Sequence, residues 1–144
     1  MSSFFLLLRK RYLQDPCPYY TDRIAFIDQW FISMWVRDYA QFEINPKKWK
    51  FTESYLNLTK GLLPKDQQTN KKWLEDVDNL LLVHQINTCH WIMLDVDLVT
   101  EKIDCYDSIM GAGTPEQDKN LLEKCRVFTR MIPALLNEVI PPKV

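Results

Sequence analysis

Apolar residues recur along the first third of the chain at helical spacing. Ile24, Ile27, Phe31, Met34, Trp35 and Phe42 follow one another at intervals that keep them on one helical face, built for burial. Thr21 or Asp22 can cap this helix, because a short oxygen-bearing side chain accepts from the free N–H groups of the first turn. Asn45-Pro46 ends it, since the residue before a proline is pushed out of the helical region. Trp30 and Trp35 then read as core residues of that helix. Ahead of it, residues 4 to 13 predict a short helix that Asp15-Pro16-Cys17-Pro18 cuts off.

The pattern then changes. Residues 46 to 72 are polar and lysine-rich, with Gly61 and Pro64 as breakers, and predict a loop with one helical turn around Glu53 to Leu58. Further on, three runs suit strands: Leu80 to Val83, Trp91 to Leu98 and Lys102 to Ser108. In the second, His90, Ile92, Leu94, Val96 and Leu98 share one face; Trp91, Met93, Asp95 and Asp97 share the other, which turns from apolar to acidic. Gly111-Ala112-Gly113 is a turn, and Thr114-Pro115-Glu116-Gln117 has the capping residue, first-turn proline and third-position glutamine of a helix start. That helix should run to about Arg130, with Pro133 breaking or kinking it. Helices first, a small antiparallel sheet, then a C-terminal helix make an α+β fold class.

Composition adds limits. With 144 residues the chain is one domain at most, and 47% hydrophobic against 26% charged residues is ordinary for a globular chain. A net charge of −1 gives no electrostatic reason to expect nucleic acid or an acidic membrane. Lys47, Lys48 and Lys50 around Trp49 form a basic-aromatic patch, for which a solvated loop is the commoner explanation. The apolar run Phe4 to Leu8 precedes the basic cluster Arg9 to Arg11, the wrong order and length for a signal peptide. No stretch reaches the length of a membrane span. Cys17, Cys89, Cys105 and Cys125 lack any Cys-x-x-Cys pair, so reduced thiols and a nuclear or cytoplasmic location are expected.

His90 opens the second strand and Asp107 lies near the end of the third. A hairpin turn centred between Leu98 and Val99 places them opposite each other, whereas one centred on Thr100-Glu101 places His90 opposite Gly111. A bulge would reconcile the two, and the residues alone leave the register open. If the pair forms, a carboxylate accepting from one ring nitrogen fixes the imidazole tautomer. The other nitrogen is then free to take a proton from Ser or Cys. With cysteine, such a pairing yields a thiolate near neutral pH. The bland alternative is a hydrogen-bonded edge histidine and a turn-forming aspartate. His84, Cys89, His90 and Asp95 have zinc-ligand chemistry but no common zinc spacing, and Asp95, Asp97 and Asp104 beside the turn suit solvation better than a cation. No metal or cofactor is expected.

Asn87-x-x-His90-Trp91, an apolar strand, a short turn and Tyr106-Asp107-Ser108 together resemble the ubiquitin-like-protein-specific cysteine proteases. That family matures and removes SUMO and related modifiers, and it has many plant, often transposon-associated, members. The resemblance is strong over residues 73 to 110, where Trp73-Leu-Glu-Asp-Val-Asp fits the family's run-up to the histidine. It implies a papain-like α+β peptidase fold, His90 and Asp107 as the catalytic histidine and aspartate, and Trp91 as a cover over the channel for the substrate's Gly-Gly tail. The implied partner is a SUMO-type modifier or its conjugates.

The sequence also departs from the family. The nucleophile is expected in an Asp-Cys-Gly segment after the aspartate, preceded by a glutamine of the oxyanion hole, and the residues after Asp107 contain no such segment. Cys125, in Glu-Lys-Cys-Arg-Val-Phe, reads as a packed helical cysteine. Val83 stands where many members have proline, and no Trp-Leu pair matches near the N-terminus. The resulting expectation is an extension over residues 1–18 and an incomplete catalytic domain over 19–144, a fragment or degenerate copy inert by itself. A non-catalytic module that docks a ubiquitin-like protein is the alternative.

Overall fold

The computed structural model describes residues 7–8, 10–11, 13–15, 19–87, 90–107 and 115–140. Its elements run β1 (Ile24–Phe26), α1 (Gln29–Ile44), α2 (Glu53–Thr59), a 3-10 turn (Lys65–Gln67), β2 (Asn79–Asn87), β3 (His90–Asp97), β4 (Lys102–Tyr106) and α3 (Pro115–Val139). The strands form one mixed sheet in the order β1-β2-β3-β4, with β1 parallel to β2 and the other pairs antiparallel. The α+β arrangement expected from the sequence is present, with one strand more than the pattern predicts.

That strand comes from the expected start of the long helix. Ile24 to Phe26 pair with Asn79 to Leu81, and the N–H of Ile27 extends the contact to the Leu81 carbonyl at 2.9 Å. Ile24 and Ile27 are three apart, which suits a helical face, but a short run holding β-branched and aromatic residues beside a buried strand suits pairing equally well. Partner strand β2 decides the matter, and the helix begins only at Gln29. Its buried face is Phe31, Ile32, Met34, Trp35 and Phe42. Trp35 is fully enclosed, whereas Trp30, expected in the core, is 62% exposed. Trp30 precedes Phe31 by one residue, and that rotation of about 100° carries it off the buried stripe.

The expected single turn near Glu53 is the seven-residue α2, which buries Tyr55, Leu58 and Thr59. Trp49 of the lysine-rich loop packs edge-on against Phe42 and Phe51, at 6.2 and 6.1 Å between ring centres. It is part of the aromatic core rather than a stacking platform for bases. Residues 7, 8, 10 and 11 have helical backbone. The rest of the predicted 4–13 helix is only partly among the described residues, and the turn at 111–113 with the cap at Thr114 lies outside them.

α3 passes through Pro133 to Val139 instead of ending near Arg130. Pro133 and Thr129, whose carbonyl loses its intrahelical donor, both face solvent, where water can satisfy that group. Phe128, Met131, Ile132 and Leu135 are buried on the opposite side. Burying these four side chains outweighs one missing hydrogen bond.

The sheet has two covered faces. Leu80, Leu82, His84, Ile92, Leu94 and Val96 meet the helices in the main core with Trp35, Tyr55, Trp73 and Phe128. On the reverse, Phe26 and Val83 centre a second cluster with Leu8, Tyr19, Ile24, Leu81, Trp91 and Met93. Tyr19 donates to the Leu8 carbonyl at 3.1 Å and stacks obliquely on Phe26, which fastens the N-terminal segment over that face. Among the described residues no helix is long and apolar enough to cross a membrane.

Candidate active site

The hairpin register is set at the turn. Asp97 pairs with Lys102, so the turn is centred between Val99 and Thr100, midway between the two centres the sequence allows. The Asp97 carboxylate accepts from the N–H groups of Val99 and Thr100, both at 3.0 Å, an Asx-type closure of the loop. Those contacts, the Thr100 N–H foremost, hold its carboxyl below the usual carboxylate range. Glu101 takes the left-handed conformation at φ 61° and returns the chain to β4.

In this register Asp107, one residue beyond β4, continues the ladder to a position across from Ile92, diagonal to His90. A diagonal neighbour on one sheet face is about 7–8 Å away between backbones, within reach of an imidazole and a carboxylate. The contact is made: His90 Nε2 donates to Asp107 Oδ1 at 2.6 Å. A second adjustment lies on the other side of the histidine. Gln85 pairs with Trp91 but Asn87 pairs with His90, so an irregularity in β2 falls at the end of β3. Bulges of this kind re-aim the adjacent side chain.

The pair stands at the rim of the helix-covered face. The His90 side chain is 20% exposed and that of Asp107 9%, so the carboxylate is enclosed while the ring keeps a path to solvent. A short hydrogen bond to an enclosed carboxyl group holds the ring firmly. With Nε2 engaged, Nδ1 is the nitrogen available to receive a proton from an approaching nucleophile.

Trp91 is not brought into this pair. As the next residue of the strand it points to the reverse face, where it is half-buried against the cluster around Phe26 and Val83. Of the thiols, Cys89 and Cys17 lie outside the described residues. Cys125 is buried in α3, and burial, with a smaller contribution from Cys105, pushes its thiol up to about 11. Cys105, half-buried on β4, is raised by burial and by the Asp107 charge. Both effects oppose thiolate formation.

His84, weighed in the sequence only as a metal ligand, is a core histidine. It is 5% exposed, with Phe128 edge-on at 5.1 Å, and burial lowers its pKa. Asp95 is on the opposite face, accepting from Asn79 Nδ2 at 2.8 Å. Among the described residues no three metal-ligating side chains cluster. The apolar alternation placing Leu82, His84 and Ile92 inward was the available signal for His84.

A histidine held at a sheet end by an enclosed carboxylate is an arrangement that can take a proton from a nearby nucleophile. The whole chain, residues 1–144, matches the model of the Ulp1 protease family, C-terminal catalytic domain, and the chain belongs to that family. The family is one of cysteine-type peptidases acting on ubiquitin-like modifier proteins. No curated protein and no protein of solved structure matches the sequence.

Proposed function

We propose that the chain carries the base half of a ubiquitin-like-modifier protease site. His90 is the general base and Asp107 fixes its tautomer; the family resemblance alone gives Trp91, on the reverse face of the strand, the role of contacting the C-terminal tail of a SUMO-like modifier. The observation that carries this reading is the 2.6 Å bond between His90 Nε2 and Asp107 Oδ1, with the ring still open to solvent. The described thiols support a further element. A thiol at about 11 in a helix core is almost wholly protonated at neutral pH and does not attack a peptide carbonyl. Neither described thiol therefore suits the nucleophile's role; the reading is of a chain inert by itself that retains modifier binding and acts in the nucleus or cytoplasm.

A SUMO-type protein bearing a C-terminal vinyl sulfone tests this directly. The expected result is no covalent adduct together with saturable binding of the unmodified SUMO-type protein, weakened by Trp91→Ala. An adduct at any of the four cysteines would overturn the inert reading, and absence of binding would remove the modifier as partner.

A further inference from the structure

The start of β3, which carries His90, is held less by ladder pairing than by its side chains. The pairing of β3 with β4 runs from Met93–Tyr106 to Asp97–Lys102, so His90, Trp91 and Ile92 precede it. On the other flank the β2 ladder is irregular between Gln85 and Asn87, the partners of Trp91 and His90. An irregularity of this kind disrupts the ladder locally. Ile92, 1% exposed, anchors this end in the main core, and Trp91 anchors it on the reverse face against the cluster of Phe26 and Val83. The N-terminal segment closes that cluster. Leu8 and Tyr19 pack against it, Tyr19 lies obliquely on the Phe26 ring at 5.9 Å, and its hydroxyl donates to the Leu8 carbonyl at 3.1 Å.

We infer that Leu8 and Tyr19 are positioning residues for the His90–Asp107 pair, acting through Phe26, Val83 and Trp91, a role that rests on the proposed function of that pair. Trp91 and His90 are successive residues of one strand. A Trp91 side chain seated on the reverse face therefore fixes the backbone from which the His90 ring leaves the other face. The tolerance is small, because the 2.6 Å contact joins diagonal rather than opposed positions and a hydrogen bond weakens steeply with misalignment. When Leu8 and Tyr19 lift, Phe26 and Val83 meet water, Trp91 loses its dry seat, and the end of β3 frays away from Asp107. The neighbouring Leu7, Leu13 and Tyr20 are exposed, so among the described residues of this segment Leu8 and Tyr19 supply the hold. A contact resting on so few side chains opens more readily than the main core.

The chain has two histidines, which give a probe and a control in one imidazole 15N–1H spectrum. His90 reports on the pair. His84, buried beside Phe128 and bonded to the Lys124 backbone, reports on the main core. In the full chain, Tyr19→Phe keeps the ring and removes one hydrogen bond, and should quicken solvent exchange of the His90 Nε2–H on the order of fivefold. Leu8→Asp sets a charge against Phe26 and Val83 and should quicken it on the order of tenfold or more. Exchange at the His84 ring should stay native in both, and Leu8→Met should be native at both rings. Equal quickening at the two rings would make Leu8 and Tyr19 ordinary stabilising residues and overturn the inference; so would native exchange at His90. If Leu8→Asp fails to fold, Tyr19→Phe decides the matter in the same way. A native chain with no proton on His90 Nε2 would instead overturn the proposed roles of His90 and Asp107 themselves.

Discussion

At the residue scale, the proposed chemistry rests on which ring nitrogen of His90 carries the proton. Asp107 takes Nε2–H and leaves Nδ1 as the acceptor. In Asp107→Asn the carboxamide can donate to Nε2 instead, which drives the ring proton to Nδ1 and removes the accepting nitrogen. Long-range 15N–1H spectra of the imidazole should show protonated Nε2 in the native chain and a shift toward Nδ1–H in the variant. A native ring protonated at Nδ1 would contradict the assigned roles. Such tautomer errors cost about 10⁴-fold in rate where a complete serine triad has been tested.

The second histidine predicts a pH dependence. Burial, and to a smaller extent the Lys124 charge, lower the His84 pKa below 6.5, while a hydrogen bond to the Lys124 backbone works against them. Between that depressed value and 6.5 the unfolded chain binds more protons than the folded one. Stability therefore declines as the pH falls through about 6.5 and levels off below the folded-state pKa. Denaturation midpoints measured from pH 8 to 5 should reveal this slope, and His84→Leu should flatten it. An unchanged slope in the variant would assign the effect to other groups.

At the scale of elements, α3 and the hairpin show how local signals yield to their surroundings. Pro133 is a helix-breaking residue that does not break its helix, because its cost falls on a solvent-facing carbonyl while the packed face lies opposite. Pro133→Ala restores the missing N–H and should stabilise the protein by about 1 kcal/mol or more, readable as a raised urea midpoint. A loss of stability would mean that the proline ring packs against something that matters, such as the wall of a cleft it lines between the hairpin and α3. In the hairpin, the two carboxyl-to-backbone bonds of Asp97 select one loop geometry, and that choice moves Asp107 from opposite His90 to diagonal.

At the scale of the whole molecule, one aromatic core joins sheet and helices. Phe128 stands edge-on to both Trp35 and His84, at 5.8 and 5.1 Å, and is fully buried. Phe128→Ala should cost about 3–5 kcal/mol, a large share of the roughly 5–15 kcal/mol that holds a domain together. Thermal melts should then lose cooperativity or shift far downward; a change of a degree or two would show that the core repacks around the cavity. The same core holds Ile92 between His84 and the His90–Asp107 end of the sheet, so the variant should also loosen the His90–Asp107 contact.

By itself the sequence determined the α+β class, the alternating faces of β3, the start of a C-terminal helix and the residues of the His90–Asp107 pair. The first three are set by short-range regularities, periods of two and 3.6 residues and capping residues, while the pair was singled out by the resemblance of its motif to the protease family, its spacing having left the register open. Tertiary structure decided the rest. Ile24 to Phe26 became a strand because β2 lay beside them, Trp30 turned outward because the core lay on a neighbouring stripe, and α3 continued because four apolar residues had a sheet to cover. The register was decided last, by two hydrogen bonds to Asp97. In a hairpin a shift of one position moves every cross-strand partner, and no periodic pattern records where a turn will close.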